Sequence, residues 1–548
     1  MTAIKDTART MSPADVARAY HARTKHTIER FAAGPETLDW DAQPNPFREF
    51  DGTQKTQLPL GADHVATPFA KIAASDAITP APVTLFSLGV LMQLSFGLSA
   101  WKEYGPDRWA LRCNPSSGNL HPTEAYLLAR GVPDLDDRVY HYVSRDHVLE
   151  HRCRPEGSDA APPQIWIGLS SVHWREAWKY GERAFRYCQL DIGHAVGAVC
   201  YAARALGWTA EMVAGISSSE LAAVLGLDRS DDFAGAERED ADLLIAISPG
   251  SNEPAVAPGW TPDRGVWTGR ANMLDRHPMY RWPIIDEVSQ ATQGGGDTAQ
   301  EPETAGAPPL PPLPQKSEAR AADLILGRRS AQRFDARTSI DAETFYHLLD
   351  STLVRRAAPW NVWRFAPRLH LVVFVHRVEG LEPGIYALPR STAAADALRK
   401  AMRDDFEWKT LRGAPPHLPL VRLLPENCKA IAKTISCHQA IASDGCFSLS
   451  MLGEFEPAVQ ESPWHYRRLH WEAGLIGQVL YLEAEAAGLR GTGIGCYFDD
   501  GLHSLLGITT TQFQVLYHFT VGNPVTDTRI MTLPAYPDRH PPQGEFGT

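Results

Sequence analysis

Residues 289–316 read SQATQGGGDTAQEPETAGAPPLPPLPQK, and this stretch divides the chain. It is rich in Gly, Pro, Thr and acidic residues and poor in apolar ones. Such a segment buries too little surface to offset its ordering entropy and reads as a linker. The 548 residues are long for one ordinary domain and comfortable for two or three. The reading is therefore an N-terminal extension over 1–60, a first domain over 61–288, the linker over 289–316 and a second domain over 317–548.

The two halves share an element order. In the first, Thr84–Leu98 carries apolar residues at helical spacing, and strand-like runs follow at Ala125–Leu128 and Val139–Tyr142. A long helical pattern from Glu176 to Leu206 ends at Gly207, and Leu243–Ile247 closes the half as a strand. In the second, a helix is expected over Thr344–Leu353 and strands over Leu369–Val375 and Gly384–Tyr386. A helix over Tyr466–Ala487 ends at Gly488, and a strand over Val515–Val521 closes the half. Helices interleaved with short strands, repeated once, predict an internally duplicated α+β protein.

Composition narrows the function. Hydrophobic residues at 44% and charged residues at 22% fit a globular protein with a sizeable core. A net charge of -12 without a basic block disfavours nucleic acid as a partner. No signal-type segment opens the chain and no run of about 18 apolar residues occurs, so a soluble cytoplasmic protein without a membrane partner is expected. The cysteines are scattered, as in a reducing compartment. Cys428, Cys437, His438 and Cys446 cluster in sequence but match no zinc spacing, and no metal is expected.

Three motifs carry chemistry. Arg328-Arg329-Ser330-Ala331-Gln332-Arg333-Phe334 offers guanidinium groups and a hydroxyl within a turn, suited to clamping a phosphate monoester, or else a solvated basic run. Gly491-Thr492-Gly493-Ile494-Gly495 lets backbone N–H groups approach a ligand, or simply joins a helix to a strand; it lacks the context of a dinucleotide fold. Asn114-Pro115-Ser116-Ser117-Gly118-Asn119-Leu120-His121-Pro122 is a loop dense in small hydrogen-bonding side chains. Arg529, after Gly522-Asn523-Pro524, is a further phosphate candidate.

Together these motifs resemble the nitroreductase family of flavoproteins. The first half resembles more specifically the SagB/ThcOx-type dehydrogenases, which oxidise thiazoline and oxazoline rings in peptide natural products. Pro115–Pro122, Tyr140-His141-Tyr142 and the stretch Trp174–His194 carry that likeness; RRSAQRF, EPGIYAL, GTGIG and VGNP carry the general family pattern in the second half. The resemblance implies a mostly antiparallel sheet flanked by helices in each half and an intramolecular pseudo-dimer. FMN is then expected in a composite site, with a small-molecule or peptide substrate. The molecule is expected as a monomeric pseudo-dimer or a homo-oligomer.

The resemblance further implies that Arg328, Arg329, Ser330, Arg333, Gly493, Ile494, Gly495 and Arg529 hold one side of the flavin. Pro115, Ser116, Ser117 and Asn119 hold the other. The pseudo-equivalent second place has Phe69-Ala70 where Arg329-Ser330 stand and Ala358-Pro359-Trp360-Asn361 as its loop, and no flavin is expected there. Lys179-Tyr180 resembles the pair that removes the substrate proton in SagB-type enzymes. His194 reads as a locally bonded helix residue. Arg183 and Arg186 either line a channel or pair with acids on neighbouring elements. An FMN-dependent oxidoreductase acting on an azoline-type heterocycle is expected. An NAD(P)H-dependent nitro or quinone reductase and a non-catalytic scaffold are the alternatives.

Overall fold

Runs of β-branched and aromatic residues bounded by turns build one sheet in each half, and the two sheets repeat the same path. A computed structural model describes residues 11–74, 78–155, 163–249, 265–295 and 312–539. The first-half sheet passes through Arg138–Val143, Thr123–Arg130, Gln164–Ser171, Asp240–Ser248 and Thr209–Met212. The second passes through Gly384–Leu388, Leu369–Val375, Phe447–Gly453, Gln514–Gly522 and Arg490–Ile494 in the same order. All of these neighbours are antiparallel. The chain is thus α+β and duplicated, as its element order predicts. Gly491–Ile494 of the GTGIG segment lie in the edge strand Arg490–Ile494, with Gly495 just beyond it.

Each half has a 22-residue helix lying on its sheet, Ala184–Ala205 and His465–Ala486. The two helices cross with almost no side chain between them. A Cβ on Gly193 would lie 2.1 Å from the Trp471 carbonyl oxygen, and one on Gly474 would lie 2.1 Å from the Leu190 carbonyl oxygen. Gly193 and Gly474 occupy matching positions of the repeat, so this crossing is the pseudo-two-fold axis. Reciprocal arginines reach outward from it. Arg186 donates to Asp499 of the second half at 2.7 Å, and Arg467 donates to Asp242 of the first at 2.9 Å. Arg183 joins Asp499 at 2.9 Å, so both arginines of that pair serve the interface and not a channel.

Two sequence boundaries move. The long helical pattern from Glu176 is split into His173–Tyr180 and Ala184–Ala205 by Gly181, which takes φ 55°. The cause is tertiary: a Cβ there would sit 2.4 Å from the Ala33 carbonyl oxygen, because the N-terminal segment packs against this turn. The linker reading also began too early. Ser289 lies in the helix Pro283–Ala291, held by buried Ile285 and Val288, and its carbonyl accepts from Arg467 at 2.9 Å. At the other end Leu313 N–H donates to Asp350 at 2.9 Å. Residues 296–311 of that stretch fall outside the described residues.

The first and last described segments both reach across to the opposite half, the first while also bonding Glu182 of its own half. The helix Pro13–Arg23 starts at an Ser12 cap. It sets His21 between Tyr466 and Gln514, both 3.2 Å away, and pairs Arg18 with Glu456 at 2.7 Å. Met531–Leu533 adds an antiparallel strand to the first-half hairpin Leu98–Tyr104/Asp107–Arg112. Among the described residues, no helix is long and apolar enough to cross a membrane.

The helix crossing makes a direct prediction. Gly474→Ala inserts a methyl group against backbone, which cannot rotate away, and is expected to cost about 2 kcal/mol or more. Denaturant unfolding should show this as a lowered midpoint, whereas the same substitution at exposed Gly295 should be near neutral.

Candidate functional site

A cleft of about 570 Å³ opens where the halves meet, a size suited to a small ligand or cofactor. One wall is the loop after the hairpin. Pro115, Ser116, Ser117 and Asn119 all line it. Ser117 is held by Asp191 on the long helix, donating from its backbone N–H at 3.0 Å and its hydroxyl at 2.9 Å. Asn119 donates to the Ala110 carbonyl at 3.0 Å. Burial pushes the Asp191 carboxyl up to about 7 although the Ser116 and Ser117 bonds favour its charge.

The facing wall is cationic. Arg328, Arg329 and Ser330 follow directly on the helix Ala321–Gly327 and all line the cleft, as do Gly493, Ile494 and Gly495. Ser330 Oγ lies 2.8 Å from the Tyr481 hydroxyl, which also accepts from Gly493 N–H at 3.0 Å. Arg329 donates to Ser99 Oγ and the Ser99 carbonyl across the interface, at 3.2 and 3.1 Å.

Two cations that the sequence motifs did not mark join this wall. Lys102 comes from the first-half hairpin and is bonded to Thr532 at 2.6 Å; Arg490 comes from the edge strand. Burial lowers Lys102, and the charges of Arg329 and Arg490 lower it further. Arg329 is brought down to about 10, by burial first and by Arg328 next. Glu485 is the acid beside them, 3.3 Å from Arg490, and burial raises its carboxyl. Like charges held together in a partly desolvated wall are disposed to take an anion.

Two residues of the expected clamp stand elsewhere. Arg333 is exposed, and Arg529 pairs with Asp527 at 2.6 Å with its guanidinium over Tyr104; neither lines the cleft. Both are exposed, which spacing alone does not reveal.

Tyr180 lines the cleft, its hydroxyl against Gly118 and its ring 4.6 Å from that of Tyr187. Burial raises its phenol well above the ordinary range, so it keeps its proton. Lys179 is not in the lining. Its ammonium sits 5.4 Å from the Trp40 and Tyr180 rings, and burial lowers its pKa. Behind them lies Glu176, fully buried with neither carboxylate oxygen bonded and its pKa driven well up by burial and by Asp191. His194 faces the cleft and meets the Tyr517 hydroxyl at 3.1 Å.

The pseudo-equivalent second place is filled by side chains. Phe69 stacks on Tyr201 at 5.9 Å, and Trp360 is buried with its indole N–H donating to the Ser351 carbonyl at 2.7 Å. Asn361 of that loop donates to the Ala210 carbonyl at 3.0 Å, and Lys71 is exposed. Among the described residues, no group of three or more His, Cys, Asp or Glu side chains could hold a metal ion.

Comparison with known proteins places this architecture in the nitroreductase-like class of α+β folds. A protein of Anabaena variabilis provisionally described as a nitroreductase superposes over 93% of this chain and 99% of its own, with a TM-score of 0.66 and 21% identity. A protein of Methanocaldococcus jannaschii, also provisionally a nitroreductase, is 26% identical over 155 residues, covering 26% of this chain and 75% of its own. A nitroreductase-type structure from Exiguobacterium sibiricum holds FMN and covers 39% of this chain at 14% identity and a TM-score of 0.24. No family model matches the chain. The superposition over nearly the whole chain shows a shared fold.

Asp191 supplies a test of the loop wall. Its pKa is raised on folding, so the native state holds a proton that the unfolded chain releases near pH 4. Stability is therefore expected to fall as pH rises from about 4 to about 7. Asp191→Asn should flatten that part of the curve in urea unfolding at several pH values; an unchanged slope would place the proton elsewhere.

Proposed function

We propose that the chain is an FMN-dependent oxidoreductase with one flavin per molecule, and that it dehydrogenates an azoline-type heterocycle in a peptide or small metabolite. The observation that carries the cofactor reading is the wall of Lys102, Arg328, Arg329 and Arg490 facing the Ser117 loop. The donor set fits FMN: cations and the Ser330 hydroxyl for its phosphate, and the Gly493–Gly495 backbone with the Pro115–Asn119 loop for its ring. This assignment moves two of the phosphate contacts from Arg333 and Arg529 to Lys102 and Arg490. The bound flavin supplies the two-electron acceptor.

The chain's own groups handle the proton. Tyr180 is the residue that meets the substrate, a neutral phenol packed between Gly118 and Tyr187. Lys179, whose neutral amine is favoured by burial, stands beside the Tyr180 ring and takes the Tyr180 hydroxyl proton as that oxygen takes the proton leaving carbon. Trp40 lies on the other side of Lys179, its ring 5.4 Å from the ammonium. The SagB-like substrate class rests on this Lys-Tyr pair and on the sequence resemblance.

The visible spectrum of the purified protein, with released flavin measured against chain, tests the cofactor. A ratio of about one is expected, because the second place lacks charge-assisted partners worth roughly 1.5–3 kcal/mol each. A ratio near two would overturn the one-site reading, and no uptake of FMN would favour a scaffold. Arg329→Ala is expected to weaken FMN binding by about tenfold or more, measured by fluorescence titration.

Lys179→Ala is expected to lower turnover of an azoline peptide by about tenfold or more with the flavin retained. Tyr180→Phe should behave alike. Rapid reduction by NADPH with no azoline oxidation would assign the chain to the nitro and quinone reductases.

A further inference from the structure

Of the eight cysteines, six are buried; Cys437 and Cys496 are half-buried and face each other. They lie far apart in sequence and meet because the segment after the helix Lys429–Ile435 folds over the end of the edge strand. Gln439 fastens it there, donating to the Cys496 carbonyl at 2.9 Å while its neighbour bond holds the Ser436 carbonyl at 2.9 Å. The turn is strained: Cys437 and His438 both take positive φ, 52° and 60°, which β-carbon-bearing residues seldom adopt. Cys496 and Gln439 line the same cleft as Gly493–Gly495.

The surroundings separate the two thiols chemically. The pairing of the two thiols raises Cys437 and is the largest cause lowering Cys496. His26, from the N-terminal segment, adds a second donor. Its Nδ1 accepts from Ala32 N–H at 2.9 Å, which puts the ring proton on Nε2. The buried Arg183, itself paired with Asp499, adds positive charge to the same spot. Two neighbouring thiols, one of them favoured as the thiolate, are the arrangement of an attacking and a resolving cysteine.

We propose that Cys437 and Cys496 are a redox-active dithiol that exchanges an electron pair with the flavin of the cleft. The inference rests on the FMN reading given above. On oxidation, the two sulfurs join in one S–S bond and give up two electrons and the thiol protons. The electron pair and one proton pass to oxidised flavin, and any other proton leaves through solvent. In the reverse direction, reduced flavin returns the pair and the bond opens. The substrate class served from the outer side is a small disulfide, which exchanges with the dithiol.

The test uses the flavin-loaded protein, oxidised with diamide and freed of reagent. Peptide mapping without reductant is expected to find Cys437 linked to Cys496. Anaerobic titration with dithionite is expected to consume about four electrons per chain, two for the flavin and two for the disulfide. Cys437→Ser and Cys496→Ser should each abolish the link and reduce the uptake to about two. Failure to find the link, or a wild-type uptake of about two with the link surviving full flavin reduction, would overturn the proposal. Absence of bound FMN would overturn the cofactor reading separately, since the mapping needs no flavin and still decides whether the dithiol exists.

Discussion

The contact of Gly193 with Gly474 sets the position of everything else. With no side chain between them, the two long helices approach until backbone meets backbone, and that approach brings the second-half clamp to face the first-half loop. Arg186 and Arg467, at matching places in the repeat, then fasten each helix to the opposite half through Asp499 and Asp242. Breaking one of these buried pairs leaves an uncompensated charge, so they act mainly to fix one arrangement of the halves. A duplicated chain can thus use the geometry of a symmetric dimer within a single molecule.

The two matching places of the repeat have different linings. At the first, Arg329 and Ser330 face a cleft and Ser330 meets Tyr481. At the second, Phe69 stacks on Tyr201 and Trp360 fills the space beneath its loop. The same backbone supports a polar cleft on one side and a packed aromatic cluster on the other. Buried apolar surface on the second side stands where the first side has cations.

Much of this was legible in the sequence because it rests on local chemistry. The paired element order, the strand Leu369–Val375, the Thr84 start of the helix Leu85–Phe96 and the Ser116-Ser117 loop all follow from residue types at fixed spacing. What escaped depends on distant partners. The break at Gly181 needs Ala33, and the burial of Ser289 needs Arg467. Lys102 and Arg490 are unremarkable single cations until the fold sets them beside Arg329. In the same way Cys437 sits near Cys428 and Cys446 in sequence, but the residue it meets is Cys496.

The seat of the N-terminal helix has a consequence for folding. The helix Pro13–Arg23 bonds Glu182 of the first half and Tyr466, Glu456 and Gln514 of the second, so its contacts span more than 400 residues of chain. Its full set of partners exists only when both halves stand side by side. Once it docks, it carries His26 to Cys496 and the Ala33 turn to Gly181. The segment is therefore among the last to settle, and the cleft is completed only after both halves have docked.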